Sequence, residues 1–439
     1  MQLGKRKWIT QMRFRNSHLI IACIAITLVS LTHSSVFGQV NDKYEAAALR
    51  YEKSLEAWRG VYVDIIKAYS EFQVCEKEDS EELKEKFLAL TARGDVLADE
   101  TMLAAADLLE NSVTPDPDLL LFLKTAPLKF YEAHRYGDSV KAGRAILKHT
   151  EDNYELLYDT VRSAFFSNQF DYSGELMEEW RADEGKLPPQ LQGIYTSQKA
   201  LAEDWKKETV LREKEVEKDH LPRIAFEMED GNVVVELFED QFPVVVNNLM
   251  WLASQEENPF FVDQAFFFVL EHQLAMTGSR TDDGKEIIFV SNATAEQKKR
   301  ARQIFRGSFG LNVRQLSATQ TVLSTGCQFF PIPRPDMADS TLVVGRVVEG
   351  MDLIDNLQKT HEINESGEAT PLEEAIPSRF TRVSVNRKPE GKEYEFIQPG
   401  TPRNTNQGPA PQAGPAPQAG PAPQAGPAPQ ADPAKSPGK

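Results

Sequence analysis

Apolar residues recur at spacings of three and four through YEAAALRYEKSLEAWRGVYVDIIKAY (44–69), the period of a helix with one buried stripe. SEELKEKFLALTARGDVLADETMLAAADLLE (80–110) continues the pattern, and Ser80 followed by the acids from Glu82 to Glu85 has the form of a helix start. Pro115 and Pro117 interrupt it. Beyond them, HRYGDSVKAGRAIL (134–147) and NQFDYSGELMEEWR (168–181) are variants of one another. Tyr136 and Phe170 stand 34 positions apart, as do Ser139 and Ser173. WKKETVLREKEVEKDHLP (205–222) predicts a charged terminal helix that stops at Pro222 and links to the next unit. Residues 41–220 thus read as helix nearly throughout.

The period changes from 3.6 to 2 at residue 223. RIAFEMEDGNVVVELFED predicts two alternating strands around Asp230-Gly231, a strong hairpin signal. QFPVVVNNLMWLASQ returns to helical spacing. FFVDQAFFFVL, HQLAMTG, RGSFGLNV, GCQFFPI and STLVVGRVVEGMDLIDNL are short strands punctuated by glycine, with a second helix at the end. RFTRVSVNRKP supplies a last strand near residue 388. This is the texture of an all-β barrel with helical caps. From Gly408 the hexapeptide GPAPQA occurs four times. Such a segment buries no core and favours extended, polyproline-like chain: a solvated spacer, a tether or a Pro-rich ligand.

Composition narrows the partners. A net charge of −17 over 439 residues leaves no excess of Lys and Arg to neutralise phosphates, which excludes nucleic acid and anionic membrane surfaces as partners. Lys5, Arg6, Lys7, Arg13 and Arg15 precede an uncharged run from Leu19 to Leu31. That run is short for a spanning helix and suits a signal peptide, with Val36 and Gly38 placed for cleavage before Gln39. The expectation is an exported protein, periplasmic or secreted, with no membrane contact once the signal is cleaved; the alternative is an uncleaved anchor. Cys75 and Cys327 read as buried small hydrophobes, with pairing as the alternative. No metal ligand set and no cofactor motif is expected. The chain divides into a signal (1–38), an α-helical region (39–220), a β-barrel (221–390) and a Pro/Ala/Gln-rich tail (391–439).

Two resemblances follow from these motifs. The 34-residue period is similar to that of tetratricopeptide helical hairpins, a generic helical bundle being the other reading; either gives stacked helix pairs with a face for protein contacts. The β region resembles the cyclophilin family of peptidyl-prolyl isomerases over about 165 residues, in five blocks in order: VVVELFEDQFPVVVNNLMWLA, FVDQAFFFVL, GSFGLNV, GCQFFPI and LVVGRVVEGMDLIDNL. The implied fold is a multi-domain chain: an all-α helical-hairpin region followed by a cyclophilin-like closed eight-stranded β-barrel with two capping helices. The implied partners are proline-containing polypeptides or other envelope proteins.

In that family, a guanidinium hydrogen-bonded to the proline nitrogen weakens amide conjugation and lowers a rotation barrier of about 18–20 kcal/mol. Carried over position by position, Phe266 matches the family's Phe, Phe267 stands where the family has His, and Phe268 stands where it has the catalytic Arg. Gln273 and Leu274 replace a pocket Phe and Met, Met276 replaces a Gln, and Val313 replaces an Asn. Asp336 replaces a Trp, Met337 a Leu and Thr341 a His, while Gln328 and Phe330 are kept. The expected peptide-binding set is therefore Phe267, Phe268, Leu274, Met276, Gln328, Phe330, Met337 and Thr341, with no catalytic residue assigned. By strand alternation Phe266 and Phe268 share the groove face. Arg280, Arg314 or Arg334 would be the substitute donor if one reached the cleft. Weak or lost isomerase activity is the expectation; a scaffold protein, or a groove filled by the chain's own tail or helical region, is the alternative.

Overall fold

The computed structural model describes residues 42–74, 80–150, 153–255, 260–278, 288–290, 301–317 and 320–397. The export signal, the GPAPQA tail, Cys75 and Arg280 lie outside them. No helix among the described residues is long and apolar enough to cross a membrane.

Two long helices, α1 (Asp42–Val74) and α2 (Ser80–Glu110), form a hairpin around Tyr51, Leu55, Trp58, Met102 and Leu109. Arg50–Asp107 and Lys86–Glu71 ion pairs tie its two ends. Short helices α3 (Pro117–Leu123) and α4 (Ala126–Glu132) follow, then α5 (Tyr136–Leu147), α6 (Tyr154–Phe166), α7 (Phe170–Glu184) and α8 (Pro189–Lys218).

The sequence period is written into the hydrogen bonds. The Ser139 hydroxyl donates to the Pro127 carbonyl at 2.8 Å, and the Ser173 hydroxyl donates to Val161 at 3.1 Å. Arg135 N–H donates to Phe130 and Gln169 N–H to Ala164, both at 2.8 Å. His134 (φ 60°) and Asn168 (φ 64°) take the same left-handed turn just before α5 and α7. Each equivalent pair is one period apart, so the α4–α5 and α6–α7 corners are one motif used twice. Ser139 and Ser173 are fully buried, and each hydroxyl meets its hydrogen-bonding need on a carbonyl of the preceding helix.

The second unit is one curled sheet. Its strands are β1 (Arg223–Met228), β2 (Gly231–Leu237), β3 (Val262–Ala265), β4 (Phe268–Leu270), β5 (Leu274–Thr277), β6 (Ile288–Val290), β7 (Ser308–Ser317), β8 (Gln320–Phe329), β9 (Thr341–Glu349), β10 (His361–Ile363), β11 (Ala369–Pro371) and β12 (Arg379–Arg387). They order as β11-β10-β4-β5-β8-β7-β9-β2-β1-β12-β3, with β6 on β8. That makes twelve strands among the described residues, four more than the family barrel, because short strands are added at its rim. The hydrogen-bonded path stays open. Closure comes from the chain itself: β3 and β4 are separated only by Phe266 and Phe267, yet β3 pairs with β12 while β4 pairs with β5. Helices α9 (Pro243–Ala253) and α10 (Met351–Asp355) complete the unit.

The interior is aromatic. Phe226 packs edge-on against Phe329 and Phe380, each at 5.2 Å between ring centroids, and meets Phe309 at 6.0 Å. Fully burying each such ring contributes roughly 1.5–3 kcal/mol. The first hairpin turns one residue earlier than its sequence signal: Met228 pairs with Gly231, so Glu229 and Asp230 make the turn. Gly231 opens β2 at φ +145°, a conformation available to glycine and not to Asp. Cys327 is buried and free within β8, and burial pushes its thiol pKa up.

The terminal helix is more than a linker. Glu208 and Glu215 of α8 pair with Arg302 of the barrel, and Glu215 also pairs with Arg346. Phe305 inserts among Phe165, Phe170, Leu201 and Trp205, with Trp205 edge-on at 4.8 Å. Asn168 clasps the backbone of Arg306: its Oδ1 accepts from the N–H at 3.1 Å and its Nδ2 donates to the carbonyl at 3.4 Å. The two units therefore share a core.

Candidate functional site

Pairing across four strands fixes two rows of side chains. Val269, Ala275, Phe329 and Phe309 are mutual neighbours on β4, β5, β8 and β7, and all are buried; this row faces the interior. One residue along, Phe268 pairs with Met276, Met276 with Gln328, and Gln328 with Gly310. Side chains alternate in strands, so this second row lies on the opposite face, the outside of the barrel.

Phe268 is half-buried there, and its ring lies over His361 of β10 at 4.3 Å between centroids. His361 Nδ1 is held by the Thr360 hydroxyl at 2.9 Å, and Thr360 in turn accepts from Val269 N–H at 2.7 Å. Phe267 is half-buried at the bend between β3 and β4. Phe266 does not join the groove face. Its ring packs inside the barrel against Phe329 and Phe380, both at 5.9 Å, because the strand breaks after Ala265 and the alternation is not carried across the bend.

The remaining expected residues gather around this row. Phe330 continues β8, its N–H donating to the Ser308 carbonyl at 3.2 Å. The Thr341 hydroxyl donates to Gln328 Oε1 at 2.7 Å, so the residues at the family's His and Gln positions satisfy each other. Gly310 permits this closeness: a Cβ there would lie 2.4 Å from Thr341 Cγ2 and 3.5 Å from the Phe330 ring. The floor is shut to solvent, with Phe330 at 0%, Gln328 at 2%, Thr341 at 4% and Leu274 at 5% exposure. Met276, Met337 and Phe268 remain partly exposed around it.

Of the three arginines considered as substitute donors, Arg334 is the one whose side chain is described. It is committed: Nε donates to Asp336 Oδ1 at 2.9 Å, and an Nη donates to Gln273 Oε1 at 3.3 Å. The hydrogen bond from Arg334 holds the Asp336 carboxyl below its usual pKa. Arg334 thus bridges Gln273 and Asp336 at the rim, where these bonds hold its guanidinium. Arg314 lies on β7, separated from β5 by β8 and from β4 by β8 and β5.

Sequence reading missed His361 and Thr360. Both reach Phe268 across more than ninety residues of chain, and no local motif marks them. It also missed that the β4–β5 turn is held by the helical region: Tyr136 Oη and His272 Nδ1 share a hydrogen bond at 2.9 Å.

Residues 223–377 match the family model for cyclophilin type peptidyl-prolyl cis-trans isomerase. This region is a cyclophilin-type domain. Solved structures similar to it include a Cryptosporidium parvum cyclophilin type peptidyl-prolyl cis-trans isomerase in the presence of the dipeptide Ala-Pro, at 14% identity and a TM-score of 0.29, covering 38% of this chain and 99% of that one. The Mimivirus cyclophilin is similar at 18% identity and a TM-score of 0.28, covering 38% of this chain and 89% of that one. No curated protein matches the chain in sequence. In this cyclophilin-type domain the outer row carries Phe268, Met276 and Gln328, with no guanidinium among the described side chains of that row.

Proposed function

We propose that the chain is an exported protein whose cyclophilin-type domain holds X-Pro segments of other extracytoplasmic proteins, with isomerase activity weak or lost. The carrying observation is Phe268 on the outer row, its ring laid over His361 at the position that aligns with the family's catalytic Arg. A phenyl ring donates no hydrogen bond to a proline nitrogen, so the twisted amide gains nothing over the planar one, and only that difference accelerates rotation. Binding draws on Phe268, Met276 and Met337, which are apolar and partly exposed around the floor of Leu274 and Phe330. Methionine side chains are flexible enough to move aside for a proline ring. Phe267 and the paired Gln328 and Thr341 complete the contact surface.

A second reading, a scaffold without peptide binding, is favoured by the closed floor and by the grip of Tyr136 on the β4–β5 turn. The doubled corner motif supports reading the helical region as tetratricopeptide-like, a surface for protein partners.

A protease-coupled proline-peptide assay on the full chain separates these. The expected kcat/KM lies at least about 100-fold below that of an ordinary cyclophilin, the cost typical of a lost electrostatic donor; parity would sink the proposal. Saturable binding of an X-Pro peptide supports the first reading, and its absence leaves the scaffold. Recovery in the soluble extracytoplasmic fraction with Gln39 as the first residue is the expected outcome for export; a membrane-held chain would point to the uncleaved anchor.

A further inference from the structure

Beside the groove, two histidines from the two units meet. His134 sits at the α4–α5 corner and His272 in the β4–β5 turn, where Gln273 N–H donates to the Leu270 carbonyl at 3.0 Å. Both adopt φ 60°, a conformation that non-glycine residues enter rarely. At His134 the left-handed turn belongs to the repeated corner, since Asn168 shares it. Among the described non-glycine residues of the barrel, His272 shares positive φ with Asp263, at 47°. The two imidazoles lie edge to face at 4.1 Å between centroids. Glu271, next in the turn, has Oε1 3.8 Å from His272 Nε2. One ligand atom from each of His134, Glu271 and His272 lies within 4.8 Å of the others.

We propose that His134, His272 and Glu271 bind a divalent transition ion of the Zn²⁺ class, which ties the helical region to the cyclophilin-type domain. Two imidazoles and a carboxylate suit zinc, with ligand bonds of about 2.0–2.2 Å and a further position left for water. Tetrahedral bonds of that length set the ligand atoms about 3.4 Å apart, so the three groups draw together by roughly 1 Å on binding. The set has the outer support that metal histidines need. Tyr136 Oη holds His272 Nδ1 and leaves Nε2 facing Glu271, the arrangement that fixes a ligand's tautomer and ring orientation.

Two guanidiniums and one ammonium stand near the site, the ammonium of Lys359 lying 3.8 Å from Glu271 Oε2. Arg306 is paired with Asp355, and Arg162 is bonded to the Tyr131 hydroxyl. A cleft of about 260 Å³ reaches His134 and gives an ion a solvent route to it; its lining mixes Asp138, Asp352 and Asp355 with Arg135 and Arg306, which pair with Asp138 and Asp355. The ion would bridge groups 138 positions apart, which is why no ligand spacing is visible in the sequence.

The test is zinc titration of the full chain by calorimetry, with CoCl₂ absorption as a spectroscopic check. Expected is one saturable site, weakened at least tenfold by His134→Gln and by His272→Gln, and about tenfold by Tyr136→Phe, the usual cost of losing an outer-shell partner. Absence of saturable binding overturns the proposal, as does binding that survives both histidine substitutions, which would place the ion on surface carboxylates. Should a variant fail to fold, hydrogen exchange on the unaltered chain decides: Zn²⁺ must slow exchange at both 134–136 and 271–274, and unchanged exchange at either segment overturns it.

Discussion

Replacing Arg302 by Met tests whether the two units are held together by buried charge. The Arg302 guanidinium is 4% exposed and pairs with Glu208, itself 5% exposed, at 3.2 Å. It also pairs with Glu215, donates to Gln241 Oε1 at 2.9 Å, and lies 3.5 Å from the Phe238 ring centroid. Breaking a buried ion pair by removing one partner costs about 3–5 kcal/mol, because the other charge is left desolvated. Here Glu208 keeps Arg212 at 2.7 Å and Glu215 keeps Arg346 at 3.1 Å, which limits the stranded charge. The expected loss is therefore at the low end, about 3 kcal/mol. Urea titration followed by circular dichroism and tryptophan emission measures it, and faster hydrogen exchange in α8 and in residues 301–317 places it at the seam. Arg302→Met combined with Glu215→Gln should recover part of the loss, since a neutral group is cheaper to bury than an unpaired charge and Arg346 keeps Glu236. A single-variant loss below about 1 kcal/mol, or a double variant worse than the sum of its parts, would refute the reasoning.

Further outcomes follow from the same geometry. Gly310→Ala places a methyl 2.4 Å from Thr341 Cγ2 and should cost about 1–3 kcal/mol in a denaturation series, as overpacked sites do. Ser139→Ala and Ser173→Ala each remove a buried hydroxyl bonded to an equivalent carbonyl and should each cost about 1–2 kcal/mol, Ser139→Ala the more because its hydroxyl also bonds Ser163 Oγ at 2.8 Å; a negligible loss at either would count against the structural repeat. Phe268→Arg should raise kcat/KM by no more than about tenfold, about 1.4 kcal/mol of barrier, because Gln273, Asp336 and Thr341 also differ; a far larger rise in the protease-coupled assay would show that Phe268 alone silences the domain. Hydrogen bonds from Arg382 and Ser384 hold Glu227 below its usual pKa of 4.5. A lowered carboxyl stabilises the fold above that value and loses the contribution as pH falls through the folded pKa. Glu227→Gln should therefore flatten the acid limb of the stability–pH curve and leave its neutral-to-basic limb unchanged in shape.

Much of the architecture was legible because it rests on local period. Three-and-four spacing located helices across 42–218, and alternation located the strands from 223 onward. The 34-residue offset of Ser139 and Ser173 anticipated two identical corner hydrogen bonds. The cyclophilin-type resemblance likewise sits in short contiguous blocks, and the expectation that Phe268 stands at the family's Arg position comes from those blocks alone.

Tertiary structure decided the rest, because those questions turn on groups far apart in the chain. Alternation predicted that Phe266 and Phe268 share a face, yet the break between β3 and β4 turns Phe266 into the core and leaves Phe268 outside against His361. The closed floor comes from contacts among Leu274, Gln328, Phe330 and Thr341 on three separate segments. The last helix looked like a charged linker because charge usually marks a solvated face. Only the arrival of Arg302 and Arg346 from the barrel made Glu208 and Glu215 part of a buried seam. Local sequence determines which elements form; how a charge or an aromatic ring is used depends on what the fold brings to meet it.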